Sequence, residues 1–241
     1  MRHYNTLITA AAYTAETFTR SGFLGSRNME EIDGRALLLR AIDSYYQPGG
    51  LLSVAVNAEE ETQGMGSKST VLEHYPQARM VETNSKTQGA LASALLSLND
   101  FPMDEPLLIA TGDSFLTKSV SDILSNDLFQ GFGALTLSFE SENPRWSYLG
   151  TNSEGKVMEV AEKLVISRIA TTGTFLFRKA SDFVEAAEWV LLNNASTQGR
   201  YFVSTALNYL ISRGLEVTFV PIQRSEYFNL SLPADFVRQA K

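Results

Sequence analysis

The stretch that most constrains the fold lies at 106–116 and reads PLLIATGDSFL. Its four apolar residues at 107–110 run directly into the turn residues at 111–114. A short apolar run bounded by turn residues is typical of a strand that is buried on both faces. The sequence therefore predicts a buried strand with Asp113 just past its carboxyl end, which is the edge where open α/β sheets bind ligands.

Two interpretations of Asp113 remain open from this stretch alone. A carboxylate at that edge is well placed to hold a divalent cation against a phosphate. Alternatively, Asp113 is an ordinary turn residue that caps the helix expected after it.

The first half of the chain alternates between predicted strands and predicted helices. Strands are expected at 4–10, 51–56, 78–83 and 106–110. Helices are expected at 36–45, 69–74, 90–98 and 119–124, and the polar segment 59–68 is expected to be a mobile loop. Such alternation indicates βαβ units and a mostly parallel sheet.

The second half changes character, because four predicted strands follow one another with only short turns between them. They lie at 132–140, 146–150, 157–163 and 171–178, and are followed by helices at 180–193 and 201–213, a strand at 216–221 and a short helix from Pro233. Consecutive strands of this kind predict antiparallel hairpins added to the parallel core. With no internal repeat or linker, we expect one α/β domain over 1–241, a mixed sheet in three αβα layers.

Charge and composition exclude several classes of function. The net charge of −7 argues against a general nucleic-acid binder. The chain has no cysteine, and His3 and His74 are its two histidines, which disfavours disulfides, thiolate metal sites and a Ser-His-Asp triad. There is no signal-like N-terminus and no apolar run of membrane-spanning length. We therefore expect a cytoplasmic protein without a membrane or nucleic-acid partner.

Six short motifs occur in a particular order along almost the whole chain. They are AAAYTAETF at 10–18, SRNMEEIDG at 26–34, TQGA at 87–90, GD at 112–113, VAEK at 160–163 and TGTF at 172–175. In this order and spacing they resemble the nucleotidyltransferases that make nucleotide sugars and related activated alcohols, namely the sugar-phosphate and phosphocholine-type pyrophosphorylases. The resemblance implies a Rossmann-like form of the α/β fold.

The resemblance also implies a reaction. A nucleotidyl group would pass from a nucleoside triphosphate to a sugar phosphate or phospho-alcohol, with release of pyrophosphate, in the synthesis of nucleotide sugars or surface-polysaccharide precursors. The implied partners are the triphosphate and a small phosphorylated acceptor, and Mg²⁺ is the implied cofactor of an active enzyme. A homodimer is compatible with such a fold, by analogy alone.

Site residues follow from the resemblance, position by position. The implied catalytic residues are Arg27, Asp113 and Lys163, with Asp113 also the metal ligand; the nucleotide-binding residues are Ala11, Ala12, Gln88 and Gly89; and the acceptor-binding residues are Glu162 and Gly173. Other interpretations stay open for some of them. Glu162 and Lys163 also fit an ordinary solvated pair at a strand end, and Gln88 also fits the first turn of a helix. Arg145 is a candidate for the acceptor pocket, whereas Trp146 is favoured as a core residue.

The chain departs from the family pattern in the loop after the first strand. Ala12 and Thr14 stand where the pattern has glycines, and Glu16 stands where it has an arginine. A Cβ at the glycine positions crowds the approach of a phosphate and disfavours positive φ. Near the C-terminus, Asn229 and Ser231 lie where many relatives carry a second metal-binding aspartate.

Three functional hypotheses follow from these departures. In the first, the chain is a working nucleotidyltransferase in which Arg20 or Arg27 supplies the missing positive charge. In the second, it is a catalytically impaired homologue that binds a nucleotide or sugar ligand or regulates an active partner. The third is a related α/β glycosyltransferase, which ranks last because 113–115 lacks the usual Asp-x-Asp pair.

Overall fold

The computed structural model describes residues 3–23, 25–84, 87–124 and 131–239. Within these ranges the strands are β1 (Asn5–Ala10), β2 (Glu31–Ile32), β3 (Arg35–Ala36), β4 (Leu52–Asn57), β5 (Arg79–Thr83), β6 (Leu107–Thr111), β7 (Ser114–Leu116), β8 (Ala134–Glu140), β9 (Ser147–Thr151), β10 (Val157–Glu162), β11 (Ile169–Phe177), β12 (Val217–Pro221) and β13 (Tyr227–Asn229). The helices are α1 (Ala15–Arg20), α2 (Leu37–Tyr45), α3 (Ala58–Thr62), α4 (Lys68–His74), α5 (Ala90–Leu96), α6 (Val120–Ile123), α7 (Ala180–Leu192), α8 (Val203–Ser212) and α9 (Pro233–Gln239), and short 3₁₀ turns lie at Arg27–Met29 and Arg224–Glu226.

Nine of these strands form one mixed sheet. Its main order is β10-β9-β11-β6-β1-β4-β5, and β8 lies beside β11 with β12 beyond it. β1 runs parallel to both β4 and β6, and β4 runs parallel to β5. β11 runs antiparallel to β6, β8 and β9, and β9 and β10 form an antiparallel hairpin. The predicted α/β fold, a parallel core with added antiparallel hairpins, is confirmed.

Helices cover both faces of the sheet, which explains the unbroken apolar runs in the central strands. Ile8 and Leu108 belong to an apolar cluster with α2, whereas their chain neighbours Leu7 and Ile109 belong to a second cluster with α5, α7 and α8. Successive side chains of a strand point to opposite faces, so both faces of β1 and β6 are buried. The three-layer αβα prediction is therefore confirmed. None of the helices in the described ranges is long and apolar enough to cross a membrane.

The prediction of a mobile loop at 59–68 is wrong. This segment contains most of α3 and the first residue of α4. The side chain of Asn57 begins α3, because its Oδ1 accepts hydrogen bonds from the backbone N–H groups of Glu59 (2.9 Å) and Glu60 (3.1 Å). Asparagine is among the best residues for capping a helix in this way. The short helix α1, at 15–20, was likewise not expected from its small-residue sequence.

A two-stranded sheet of β7 and β13 brings the C-terminal segment to the end of β6. Asn229 pairs with Ser114, and the backbone N–H of Leu230 donates a hydrogen bond to the carbonyl of Asp113 at 2.8 Å. The rings of Phe115 and Phe228 stack with their centroids 4.9 Å apart. Asp113 and Asn229 thus lie on neighbouring backbones, although 116 positions separate them in the chain.

Candidate functional site at the carboxyl edge of the sheet

The carboxyl ends of β1 and β6 lie side by side, with Thr9 paired to Thr111. Gly112 follows β6, and its backbone N–H donates to the carbonyl of Thr9 at 2.9 Å. A Cβ on Gly112 would lie 2.6 Å from the Cβ of Ala10, so a side chain at this position would push the two loops apart. The loop after β1, which carries Ala11 and Ala12, and the tip that carries Asp113 are therefore held together.

Arg27 reaches Asp113 at this edge, as the family resemblance requires of a joint site. Nη1 of Arg27 donates to Oδ2 of Asp113 at 3.3 Å, and Arg27 is 6% exposed. This is a single long contact, whereas arginine and carboxylate can form two short parallel ones. Nε of Arg27 and Oδ1 of Asp113 are both buried and have no hydrogen-bond partner among the described residues.

The residues on either side of Arg27 also carry buried polar atoms that lack a hydrogen-bond partner. Oγ of Ser26 and Oδ1 of Asn28 are also buried without a partner in the described part of the chain. Buried polar atoms in folded proteins are nearly always hydrogen-bonded to protein or to water. Two unpartnered buried atoms in the ion pair itself, and two more on the chain neighbours of Arg27, therefore indicate a place where a polar ligand or solvent belongs.

The loop after β1 holds an internal anion. Oε1 of Glu60, which is 1% exposed, accepts hydrogen bonds from the backbone N–H of Thr14 (2.7 Å), the hydroxyl of Thr14 (3.1 Å) and the backbone N–H of Ala15 (2.9 Å). The Thr14 hydroxyl in turn accepts from the backbone N–H of Arg27 at 3.1 Å. Backbone N–H groups that converge in a loop form an anion-binding concavity. Here the anion is a side chain of the protein itself.

Sequence analysis missed Glu60, because it sits in the acidic run 59–61 that resembles an ordinary solvated segment. The one available signal was Asn57, a capping residue three positions earlier, which predicts a helix there and hence an ordered Glu60.

Glu16, which stands where the family pattern has an arginine, binds a neighbour on its own helix. Glu16 lies in the first turn of α1 and forms an ion pair with Arg20, and its side chain is 59% exposed. Of the two arginines considered as a source of positive charge, Arg20 is therefore committed to Glu16 at the surface. Arg27, in contrast, is buried at the strand end beside Asp113.

Arg145 occupies the C-terminal side of the site. Its Nη2 donates to Oδ1 of Asn229 (2.7 Å) and to the hydroxyl of Ser231 (2.9 Å), and both of its terminal nitrogens lie 3.2 Å from the carboxylate of Asp235. Its guanidinium carbon lies 4.7 Å from the ring centre of Trp146, within cation–π distance. Asn229 and Ser231 therefore both accept hydrogen bonds from an arginine, at the positions where many relatives carry a second metal-binding aspartate.

This donor set does not fit the Mg²⁺ that the resemblance implies. Magnesium prefers one or two carboxylates whose oxygens are free to coordinate it. Oδ2 of Asp113 accepts from Arg27, so a cation on the unpartnered Oδ1 would share this carboxylate with a guanidinium. Oδ1 of Asn229 already accepts from Arg145 and, at 2.5 Å, from Ser231. Among the described residues there is no group of three or more His, Cys, Asp or Glu side chains that suits a metal ion.

A second group of the implied site residues (Gln88, Gly89, Glu162 and Lys163) contacts the segment 198–204. The backbone carbonyl of Gln88 accepts from the N–H of Tyr201 at 2.7 Å, and the side chain of Gln88 is exposed. Gly89 has φ +109°, and a Cβ on it would lie 2.8 Å from the nitrogen of Tyr201 and even closer to its carbonyl oxygen. Packing against Tyr201 therefore requires a glycine at 89, whatever the segment binds.

Glu162, the last residue of β10, and Lys163, which follows it, contact the same segment. Oε2 of Glu162 accepts from the hydroxyls of Ser204 (2.7 Å) and Ser147. Nζ of Lys163 lies 3.3 Å from Oε1 of Gln198 and 4.9 Å from the ring centre of Phe202. Neither side chain is freely solvated, so the interpretation as an ordinary surface pair does not describe them.

Arg145 and Trp146 connect the two groups. The backbone N–H of Lys163 donates to the carbonyl of Trp146 at 3.0 Å, while Arg145 reaches Asn229 beside the Asp113 tip. The Trp146 ring packs against Phe139 and Tyr227, which agrees with its expected place at the core.

Gly173 lies next to Thr111, in an irregular part of β11 between Thr171 and Phe175. Its φ is +77°, and a Cβ on it would contact Thr111 at 3.8 Å. The positive φ favours glycine here, and the position lies beside the strand that leads to Asp113.

A neutral polar layer lies beneath Asp113. The hydroxyl of Tyr45 is 2.9 Å from that of Ser114, which lies 3.0 Å from that of Thr111. Burial raises the pKa of Tyr45 to about 12, and burial also raises the pKa of Tyr227. Both phenols therefore stay protonated at neutral pH, so they support the tip of β6 without adding charge.

One well-defined cavity lies elsewhere. It has a volume of about 570 Å³ and lies at the amino ends of β1 and β6, near Asn5, Glu105 and Arg178. Ligands of open α/β sheets bind at the carboxyl edge, so cavity size does not locate the site here. The cluster of unpartnered polar atoms does so instead.

Comparison with known sequences finds no protein-family model that matches this chain and no curated protein that is similar to it. Comparison with solved structures, in contrast, gives matches over nearly the full length. The chain is similar to the nucleoside-diphosphate-sugar pyrophosphorylase from Vibrio cholerae RC9, with a TM-score of 0.84 and 20% identity over 97% of this chain and 98% of that one.

Two further structures are similar over comparable lengths. The inositol-1-phosphate CTP transferase from T. maritima has a TM-score of 0.72 and 14% identity, and covers 98% of this chain and 93% of that one. A putative glucose-1-phosphate thymidylyltransferase from Bacillus anthracis, solved in complex with a sucrose, has a TM-score of 0.75 and 15% identity, and covers 98% and 94%. The chain therefore has the Rossmann-like fold of the nucleotidyltransferases.

Proposed function

We propose that this chain binds a nucleoside triphosphate and a small phosphorylated sugar or alcohol at the carboxyl edge of its sheet and transfers the nucleotidyl group between them. The observation that carries the proposal is the incomplete pair of Arg27 and Asp113, whose unpartnered buried atoms lie at the end of β6. The similarity of the fold to that of several nucleotidyltransferases supports the reaction class. The products serve as nucleotide sugars or precursors of surface polysaccharides.

The proposed reaction asks little covalent chemistry of the protein. An oxygen of the acceptor phosphate bonds to the α-phosphorus of the triphosphate, the bond from that phosphorus to the bridging oxygen breaks, and pyrophosphate leaves. Catalysis then depends on positioning the two anions and neutralising the developing charge. Arg27 supplies a fixed guanidinium for this purpose, and Nε is its free donor. A divalent cation is given no step, because the donor set does not fit one.

The remaining implied residues take binding roles in this proposal. Lys163 and Glu162 face the acceptor, with Lys163 as the cation for its phosphate, while the exposed side chain of Gln88 contacts the base. Gly173 leaves room beside Thr111. Ala11 and Ala12 border the triphosphate as part of the loop that follows β1.

A second function is favoured by one specific observation, the position of Glu60. Its carboxylate accepts hydrogen bonds from the backbone N–H groups of Thr14 and Ala15. These two residues lie in the loop that corresponds to the phosphate-binding loop of the nucleotidyltransferases that this chain resembles. A triphosphate has to displace that carboxylate in order to use the same donors. If the carboxylate stays, the chain is a catalytically impaired homologue that binds a nucleotide or sugar phosphate, or regulates an active partner.

One experiment separates the two functions. Binding of the four common ribonucleoside triphosphates and of dTTP is measured by calorimetry, with Mg²⁺ and with EDTA. Pyrophosphate release is then followed with a panel of hexose 1-phosphates, phosphocholine and inositol 1-phosphate. Release with one pair of substrates supports nucleotidyl transfer. Saturable binding without release supports the impaired homologue as a ligand-binding protein. The lack of any binding overturns nucleotidyl transfer and ligand binding alike, and leaves regulation of an active partner as the second function.

A further inference from the structure

We infer that this crevice binds its phosphorylated ligand without a divalent cation, because the Arg27 guanidinium pairs with Oδ2 of Asp113 and Arg145 holds the amide oxygen of Asn229. The inference rests on the proposed function in one respect, namely that the ligand carries phosphate. It goes beyond that function by assigning the direct contact with phosphate to Arg27 and by removing the metal from the site.

The first step is the location of Arg145. β7 and β13 pair Asn229 with Ser114, and the backbone N–H of Leu230 binds the carbonyl of Asp113 at 2.8 Å. β13 therefore brings Asn229, with its amide oxygen, to the backbone beside Asp113. That oxygen accepts from Arg145 at 2.7 Å and from Ser231 at 2.5 Å.

The second step is that Arg145 is firmly held. Three side chains (Asn229, Ser231 and Asp235) accept its hydrogen bonds, and its guanidinium lies over the ring of Trp146. The carboxylate of Asp235, whose side chain is 9% exposed, also accepts from the backbone N–H of Leu232 at 3.0 Å. Moving Arg145 away from Asn229 would also break its ion pair with the buried carboxylate of Asp235, which is costly for a buried charge.

The third step is that Arg27 is also fixed. Its backbone N–H donates to the hydroxyl of Thr14, and the amide of the next residue, Asn28, donates to the carbonyl of Ala10 at 2.9 Å. The backbone of this turn is therefore anchored, and the guanidinium lies buried beside Asp113. A divalent cation on Asp113 would lie next to a fixed like charge in a poorly solvated place, which opposes its binding.

The same arrangement suits an anion. Nε of Arg27 is a buried donor without a partner among the described residues, and a phosphate oxygen is the acceptor that an arginine fork matches best. The chemistry on the protein side therefore points to direct contact between arginine and phosphate rather than contact through a metal.

The test uses Mn²⁺ alone, followed by electron paramagnetic resonance of the free ion in the absence of nucleotide. We expect wild type and D113N to give the same titration at millimolar metal, because Asp113 binds no cation. We expect the double variant R27M/R145M to gain a Mn²⁺ site, and the triple variant with D113N added to lose it. Circular dichroism checks that each variant is folded.

Two results would overturn the inference. One is Mn²⁺ binding by wild type that disappears in D113N, a comparison that stands even if the double variant does not fold. The other is a folded double variant that gains no site, since the guanidinium groups would then not be what excludes the metal. The proposed function fails separately, when no triphosphate or sugar phosphate binds under any condition, and that outcome leaves the Mn²⁺ result unaffected.

Discussion

The carboxylate of Glu60 lies 2.7 Å from the backbone nitrogen of Thr14, in the loop that joins β1 to α1. The neighbouring N–H of Ala15 and the hydroxyl of Thr14 bind the same oxygen. Charge-assisted hydrogen bonds of this kind are about twice as strong as neutral ones. An incoming phosphate thus competes with a permanent, buried anion of the protein.

Replacing Glu60 with glutamine tests this competition. The amide oxygen of E60Q keeps the shape and the acceptor but removes the charge, so an external anion displaces it more easily. We expect tripolyphosphate to bind about tenfold more tightly, a change of about 1.4 kcal/mol, as measured by calorimetry. E73Q, on the exposed surface of α4, removes the same charge from the chain and is the control. Equal affinities for E60Q and E73Q would show that Glu60 does not compete.

Replacing Arg27 with methionine tests the cation of the proposed function. The variant loses a charge-assisted contact worth about 1.5–3 kcal/mol. We therefore expect the affinity for the best triphosphate to fall about tenfold to a hundredfold. R20M is the matched control, because Arg20 is 78% exposed and pairs with Glu16 on its own helix. If R20M lost as much affinity for the triphosphate as R27M, then Arg27 would not be the specific cation that binds it.

Replacing Gly89 with alanine tests why a glycine occurs at this position. Both the positive φ and the contact with Tyr201 oppose a Cβ, so we expect the free energy of unfolding in urea to fall by about 3 kcal/mol or more. G64A is the control, since Gly64 also has a positive φ (+72°, against +109° at Gly89) but no atom within 4 Å of its added Cβ. That variant is expected to lose only about 1–2 kcal/mol. Equal losses would mean that the Tyr201 contact does not matter.

The stability of the protein at alkaline pH tests the neutral layer beneath Asp113. The pKa of Tyr45 rises from 10.0 to about 12 on folding. The unfolded chain therefore loses its phenolic proton first as the pH rises, and the folded state loses stability between about pH 10 and pH 12. At 1.36 kcal/mol per pKa unit, Tyr45 contributes about 3 kcal/mol to this loss.

The Y45F variant has no phenol to ionise, so its free energy of unfolding is expected to decline less steeply than that of wild type over this pH range. At neutral pH it is about 1 kcal/mol less stable, because the bond to Ser114 is lost. Y13F is the control, as the Tyr13 ring is partly exposed. If Y45F and wild type showed the same alkaline slope, the phenol of Tyr45 would not be responsible for it.

Local pattern was enough to predict most of the fold. The apolar run before Asp113 predicted β6 because both faces of that strand are covered, and the dense strands after 132 predicted the antiparallel part of the sheet. The prediction of a mobile loop at 59–68 failed, because it followed the polar composition of the segment and not the helix-capping residue Asn57 that precedes it. The pairing of β7 with β13 was also missed, because three-residue strands carry too little periodicity to be recognised.

For the site, motif order pointed to Arg27 and Asp113, and the structure brings them within 3.3 Å. It did not point to Glu60, and it gave Arg145 only as part of an acceptor pocket. Glu60 binds Thr14, which is 46 positions away in the chain. Arg145 binds Asn229 and Asp235, which are 84 and 90 positions away. No spacing rule connects residues at such separations.

By itself, the sequence determined the layered α/β fold and the edge of the sheet that carries the candidate site, because burial and backbone periodicity act over a few neighbouring residues. The tertiary structure alone decided how the charges at that edge are satisfied. Glu60 binds the loop after β1, Arg27 pairs with Asp113, and Arg145 fills the acceptors of the C-terminal segment. The strength of an ion pair or a hydrogen bond depends on the distance between the two groups, and these distances are set only when the chain is packed.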